Sequence, residues 1–223
     1  MKKLFDGAIK FKEEDFNKYQ NLYQNLKQNQ NPHTLFITCV DSRVVPNLIT
    51  NTLPGELFVI RNMGNIIPPY RENSNIREGF LATTSAIEYA LNVLNIANII
   101  ICGHSDCAAC SAIYTKSEFK NTPYIYKWIE LLEPIKNRVE KLKPQSKLKR
   151  TWLSEQINIE YQMENLITYP FVEERFNSGA LKIYGWYYII ETGDILNFNI
   201  KKREFEVINR ENQKSKQKKQ KDK

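Results

Sequence analysis

HTLFITCVDSR, residues 33–43, begins as a run of apolar and β-branched side chains and ends in Cys39, Asp41 and Arg43. The pattern returns at residues 98–110, NIIICGHSDCAAC, where a run of isoleucines ends in His104 and Cys107. Continuous apolar runs of this length mark strands buried on both faces, so each stretch predicts a central strand with chemistry at its carboxyl end. In a parallel α/β sheet that end opens on the crevice where ligands bind. Two thiols and an imidazole converging there suit zinc, and three protein ligands leave a fourth position for water or substrate.

Outward from these two stretches the elements are less sharply written. Phe11, Phe16, Tyr19, Leu22, Tyr23 and Leu26 recur at three- and four-residue steps and predict an amphipathic helix over residues 11–26. Pro46 and Asn47 start a short helix, and Pro54-Gly55 turns the chain into a second strand at residues 56–61. Residues 62–75 hold Gly64, Pro68 and Pro69 and read as a loop, long for a compact domain and of a length often tied to function. From Ser74 or Ile76 a helix runs through Leu94 and crosses back to the strand at residues 99–102, which makes a β-α-β unit. Beyond Cys110 the sequence predicts a helix at 123–132, a basic exposed segment at 136–150 and a second amphipathic helix at 152–168. A strand at 181–190 and another at 195–200 follow, turned at Thr192-Gly193-Asp194. The expected fold is α/β: a mainly parallel central sheet with β-α-β crossovers, an antiparallel C-terminal edge hairpin and flanking helices, the N-terminal amphipathic helix among them.

The 223 residues suit one domain with a core of its own. A hydrophobic content of 42% is a globular value, and no run of about 18 apolar residues exists to span a membrane. Asp6, Lys10 and Lys12 break any apolar stretch at the N-terminus, so no secretory signal is read there. Four cysteines without a disulfide-like framework then argue for metal or reactive thiols, and for the cytoplasm. The net charge of +7 invites a nucleic-acid partner, but residues 210–223 carry seven Lys and Arg against Glu211 and Asp222. The body is therefore close to neutral, and the tail has no interleaved aromatics for stacking on bases. A single domain over 1–209 followed by a Lys-rich disordered tail over 210–223 is expected, with no nucleic-acid partner.

Cys39, His104 and Cys107 would bring a divalent ion to a formal charge of zero, where three histidines would leave +2. Water on such an ion is acidified less than in a three-histidine site, where its pKa is about 7, so activity should rise with pH through an ionisation somewhat above neutral. Taken singly, each cysteine reads as a core residue and His104 as a satisfied polar group. Taken together, the H-x-x-C spacing and the C-x-D-x-R beside it argue for a metal site. Cys102, inside the apolar run, reads as core, and His33, at the opposite end of its strand from Cys39, as structural. Asp41 and Arg43 share a face if the chain is extended there, and an arginine so placed keeps the carboxylate ionised; the alternative is a surface salt bridge worth little. Two other readings stay open. Cys107 and Cys110 have the C-x-x-C spacing of a dithiol redox site, and a structural zinc site would need Cys110 or Asp41 as its fourth ligand.

The C-x-D-x-R and H-x-x-C motifs at this separation and in this order resemble those of the β-class carbonic anhydrases. PGELFVIRNMGNIIPP at residues 54–69 and AIEYAL at 86–91 are similar to segments of the same family, and the likeness extends over residues 31–193. The resemblance implies a zinc lyase with one Zn2+ per subunit on Cys39, His104 and Cys107, converting carbon dioxide to bicarbonate and a proton by attack of zinc-bound hydroxide. It implies that Asp41, held by Arg43, orients that hydroxide, and that in an inactive closed state Asp41 takes the fourth zinc position. It also implies a substrate pocket from Gln30, Phe58 and Tyr89, the latter two often across a subunit interface, and hence a homodimer or homotetramer. Arg61 and Asn62 match a segment that supports the site and the subunit contact. With no histidine beyond His33 to act as a shuttle, water or buffer would carry the proton. The sequence departs from the family at Ala108, where glycine is common, and at Phe36, where a tryptophan accompanies bicarbonate regulation; Phe36 argues against that regulated form.

Overall fold

A six-residue strand with every side chain buried needs cover on both faces, and β1 (Thr34–Cys39) is such a strand. The structure, a computed structural model, describes residues 1–70 and 80–211. In it β1 pairs in parallel with β2 (Leu57–Asn62) on one side and β3 (Asn98–His104) on the other. The next strand, β4 (Lys182–Tyr188), is parallel to β3, while β5 (Ile195–Asn199) and β6 (Glu204–Val207) close the sheet antiparallel, in the order β2-β1-β3-β4-β5-β6. The chain leaves β1 toward β2 and returns on the other side at β3, so the strand order reverses between β1 and β3. That reversal opens a crevice beyond their carboxyl ends. Thr38 pairs with Cys102, so one step further on Cys39 stands beside Gly103 and a residue short of His104.

Helices α1 (Lys2–Lys10) and α2 (Gln20–Leu26) precede β1, joined by a π turn at Phe11–Asp15 and a 3-10 turn at Phe16–Lys18. After β1 comes α3 (Pro46–Thr50); α4 (Leu81–Glu88), extended by a π turn at Tyr89–Val93, leads into β3, and α5 (Ala108–Ala112) leaves it. Then α6 (Pro123–Glu130), α7 (Glu133–Lys141), α8 (Lys147–Ile167) and α9 (Pro170–Asn177) run to β4.

The α/β architecture, the β-α-β crossovers and the antiparallel C-terminal strands follow the sequence-based expectation, with three differences of detail. The expected C-terminal hairpin is there as β4 and β5, and β6 extends it to a meander; the four residues EFEV of β6 are too short to announce a strand. Residues 136–150 are largely exposed, as expected, but not unstructured: α7 occupies their first part and buries Val139 beside Ile135. The N-terminal helix is longer than expected and broken, and no residue of 1–30 is buried by its own chain. The expected start of the crossover helix at Ser74 or Ile76, the end of the 62–75 loop and nearly all of the Lys-rich tail lie outside the described residues.

Two features hold the long helix α8 on the sheet. A Cβ on Gly103 would meet Ile159 at 2.8 Å, and one on Gly185 would meet the Met163 sulfur at 2.6 Å, so these two glycines on adjacent strands let the helix lie close. Overpacking such a contact typically costs about 1–3 kcal/mol. The same helix carries buried amides that serve the main chain after β2. Asn158 donates to the Gly64 carbonyl (3.0 Å), Gln162 accepts from the Ile67 amide (2.8 Å) and Asn165 donates to the Ile67 carbonyl (2.9 Å). Backbone polar groups under a helix must find partners, and this ladder supplies them.

Candidate metal centre

Cys39 ends β1 and His104 ends β3, two neighbouring strands, so the sheet itself brings the two side chains together. Asp106 turns the chain with φ +57°, and Cys107 follows at the start of α5, aimed back at the strand ends. The ligand atoms of Cys39, His104 and Cys107 lie within 4.8 Å of one another, and all three residues are buried. The structure carries no metal ion, but the donors fit one. His104 Nδ1 contacts the Ser105 carbonyl at 2.8 Å; a carbonyl only accepts, so Nδ1 donates and Nε2 keeps its lone pair. That Nε2 is buried without a hydrogen-bond partner, an uncommon state for a buried polar atom. The neighbouring Cys107 and burial push the Cys39 thiol up to about 12, and Cys110 and burial raise Cys107 well above its ordinary value. A divalent cation in Zn–S and Zn–N reach of all three would relieve both conditions.

Each donor has an anchor of its own. Gly64, with φ +78°, points its N–H at Cys39 Sγ at 3.4 Å, and a Cβ there would meet Ala109 at 2.9 Å. Arg61 clamps the main chain on either side of the first motif, through Nε to the Cys39 carbonyl (3.1 Å) and NH2 to the Asp41 carbonyl (2.7 Å). Ser105 takes a hydrogen bond from the Ile190 amide and gives one to Glu191.

Asp41 faces the centre, with Oδ2 4.0 Å from His104 Nε2. Arg43 grips both of its oxygens: Nε and the backbone N–H reach Oδ1 at 3.0 and 2.9 Å, and NH2 reaches Oδ2 at 2.8 Å. These contacts hold the Asp41 carboxyl well below the usual carboxylate range, against the opposing effect of its partial burial. Arg43 also reaches Asp106, at its carboxylate and its carbonyl, both at 3.2 Å. One guanidinium thus ties the loop after β1 to the loop after β3.

The other expected site residues do not join this cluster within the chain. Phe58 and Tyr89 lie against each other, ring centroids 6.0 Å apart, with Tyr89 42% exposed. Phe58 pairs with Leu35, four residues before the end of β1 that carries Cys39. Gln30 is exposed. Cys102 is fully buried, and Cys110 is buried inside α5. Phe36 packs edge-on against Trp186.

Sequence reasoning missed two contributors. Asp106 went unremarked beside Arg43, although it sits between His104 and Cys107. Glu155 of α8, 3% exposed, accepts from the Cys107 N–H; its place at the helical step before Ile159, Gln162 and Leu166 put it on the buried face, which was the available signal.

A family model described as carbonic anhydrase matches residues 34–195. A carbonic anhydrase of Helicobacter pylori is 50% identical over 213 residues, 92% of this chain and 93% of that one. The solved structure of the β-carbonic anhydrase CcaA superposes with a TM-score of 0.86 at 37% identity, covering 93% of this chain and 99% of its own. A tetrameric β-carbonic anhydrase of Sordaria macrospora gives a TM-score of 0.76 at 25% identity, over 88% and 95%.

Proposed function

The chain belongs to the β-class carbonic anhydrases, and we propose that it hydrates carbon dioxide reversibly at one zinc ion held by Cys39, His104 and Cys107. The observation that carries this reading is the orphaned His104 Nε2, buried within 4.8 Å of two thiols. Bound there, zinc supplies a Lewis acid that makes water nucleophilic near neutral pH.

The chain's own residues do the rest. Two thiolates and a neutral imidazole balance the ion's charge and leave a position for water or substrate. Asp41 Oδ2 lies 4.0 Å from His104 Nε2 and, being ionised, can only accept. It takes a hydrogen bond from the attacking oxygen, which aims that oxygen's free lone pair at the carbon of carbon dioxide. Arg43 keeps the carboxylate in this role by occupying both of its oxygens. To reach a metal held by the three donors, Asp41 would have to give up these contacts. Zinc-loaded protein should accelerate hydration in a stopped-flow indicator assay; zinc-replete protein without such activity would sink the assignment.

The substrate pocket is read as shared between subunits, with Gln30, Phe58 and Tyr89 completing it from a partner. What supports this is the position of Phe58 and Tyr89 away from their own centre, together with the exposed apolar side chains Leu4, Phe5 and Ile9 along α1. A homodimer or homotetramer is expected by light scattering at micromolar concentration, and a fully active monomer would remove the shared pocket. The catalytic unit is taken as one domain over 1–209, with 210–223 as an appendage. Four free cysteines suit the reducing cytoplasm, and no described helix is long and apolar enough to cross a membrane.

A further inference from the structure

We propose that Glu155 is a positioning residue for the metal centre, fixing the main chain at Cys107 and so the direction of its thiol. The inference rests on the reading that Cys39, His104 and Cys107 hold zinc.

Among the described residues Glu155 is the one buried carboxylate, 3% exposed. A buried carboxylate is costly unless its oxygens are used, and both are. Oε1 accepts from the Cys107 N–H at 3.1 Å, and Oε2 accepts from the Tyr187 hydroxyl at 2.7 Å. Tyr187 is itself 2% exposed and sits on β4 beside Gly103. Three elements, α8, β4 and the loop after β3, therefore meet at one backbone amide. That amide belongs to the residue before α5, where helical hydrogen bonding offers it no partner. Any neutral acceptor could have satisfied it; a buried carboxylate locked from its other side fixes direction as well.

The other two donors have comparable anchors. Cys39 is steered by the Gly64 N–H and by Arg61, and His104 by the Ser105 carbonyl. Glu155 supplies the one for Cys107. Outer partners of this kind orient the ligands they touch, and their loss typically weakens metal affinity about 10- to 100-fold.

The test compares full-length wild type, Glu155→Ala, Glu155→Gln and Tyr187→Phe, with Val172→Ala in α9 as a core truncation outside the centre. Zinc affinity is read by competition with a chromophoric chelator, and the melting temperature of each metal-free protein is measured alongside. Glu155→Ala should bind zinc about 10- to 100-fold more weakly. Glu155→Gln should recover most of the affinity, because its Oε1 still accepts from Cys107 and its amide can donate to the Tyr187 hydroxyl. Tyr187→Phe should weaken zinc less than Glu155→Ala, and Val172→Ala should lower the melting temperature without changing zinc affinity. Wild-type affinity in folded Glu155→Ala, or a Glu155→Gln protein as weak as the alanine variant, would overturn the proposal. If Glu155→Ala does not fold, Tyr187→Phe decides: weakened zinc supports positioning and unchanged zinc refutes it. Wild-type protein that takes up no zinc would overturn the metal-site reading, and this inference with it.

Discussion

Cys107→Ser is expected to be isolated without zinc and without hydration activity, and Cys39→Ser and His104→Ala should behave alike. A serine hydroxyl stays protonated and hard where a thiolate is charged and soft, so two donors remain for an ion that needs three from the protein. Zinc bound at thiolate-rich structural sites contributes about 10–16 kcal/mol of apparent free energy; loss of one of three donors takes a large share of whatever this centre provides. Metal analysis of the purified proteins checks it. Cys102→Ser and Cys110→Ser are the controls, since neither sulfur belongs to the cluster within 4.8 Å. Both should keep the metal. Full zinc content in Cys107→Ser would end the ligand assignment.

Asp41→Asn is expected to keep zinc and lose most of the hydration rate. The amide nearly matches the carboxylate in shape but presents an N–H where an acceptor is required, so the attacking oxygen is no longer aimed. Removing a positioned group of this kind typically costs about 10²- to 10⁴-fold. Arg43→Ala should fall in the same direction, because Asp41 then loses both side-chain hydrogen bonds that hold it, one of them the closest contact of the ion pair. The double variant should be little worse than either single one, since groups acting as a unit are strongly non-additive. The sign of the pH effect is set by the depressed Asp41 pKa. The dyad's contribution to stability is present above the unfolded value of about 3.9 and is lost as pH falls through the folded one. At mildly alkaline pH the pair is therefore intact, and a rate difference there reports on orientation. Wild-type rates in zinc-replete Asp41→Asn would exclude the proposed role.

The cluster of Cys39, His104 and Cys107 was legible in the sequence because two continuous apolar runs each end in a donor, and parallel strands bring such ends together whatever the rest of the chain does. The Asp41-Arg43 pair was legible for the same reason, being two residues apart. What escaped are residues whose partners lie far along the chain. Glu155 is 48 positions from Cys107 and 32 from Tyr187, and a glutamate on an amphipathic helix ordinarily faces water. Arg43 and Asp106 meet across a separation of 63 positions. The buried face of α7, Ile135 and Val139, is masked in the sequence by the lysines and arginine around it. Phe58 and Tyr89 are singled out only by the family resemblance, and in the single chain they lie against each other away from the metal centre.

The amide ladder of α8 makes two distant segments commensurate. Asn158, Gln162 and Asn165 rise by four and three residues along the helix, and they read the main chain from Gly64 to Ile67, as much as 98 positions away. A one-residue insertion in either segment would rotate or shift one set of polar groups past the other, leaving buried carbonyls facing hydrocarbon. Apolar substitutions on the ladder would do the same without changing length. The spacing of the loop that supplies Gly64 to Cys39 is thus dictated by helical pitch, and any lengthening of this chain between β2 and the helix that follows it must fall after Ile67, where that ruler ends.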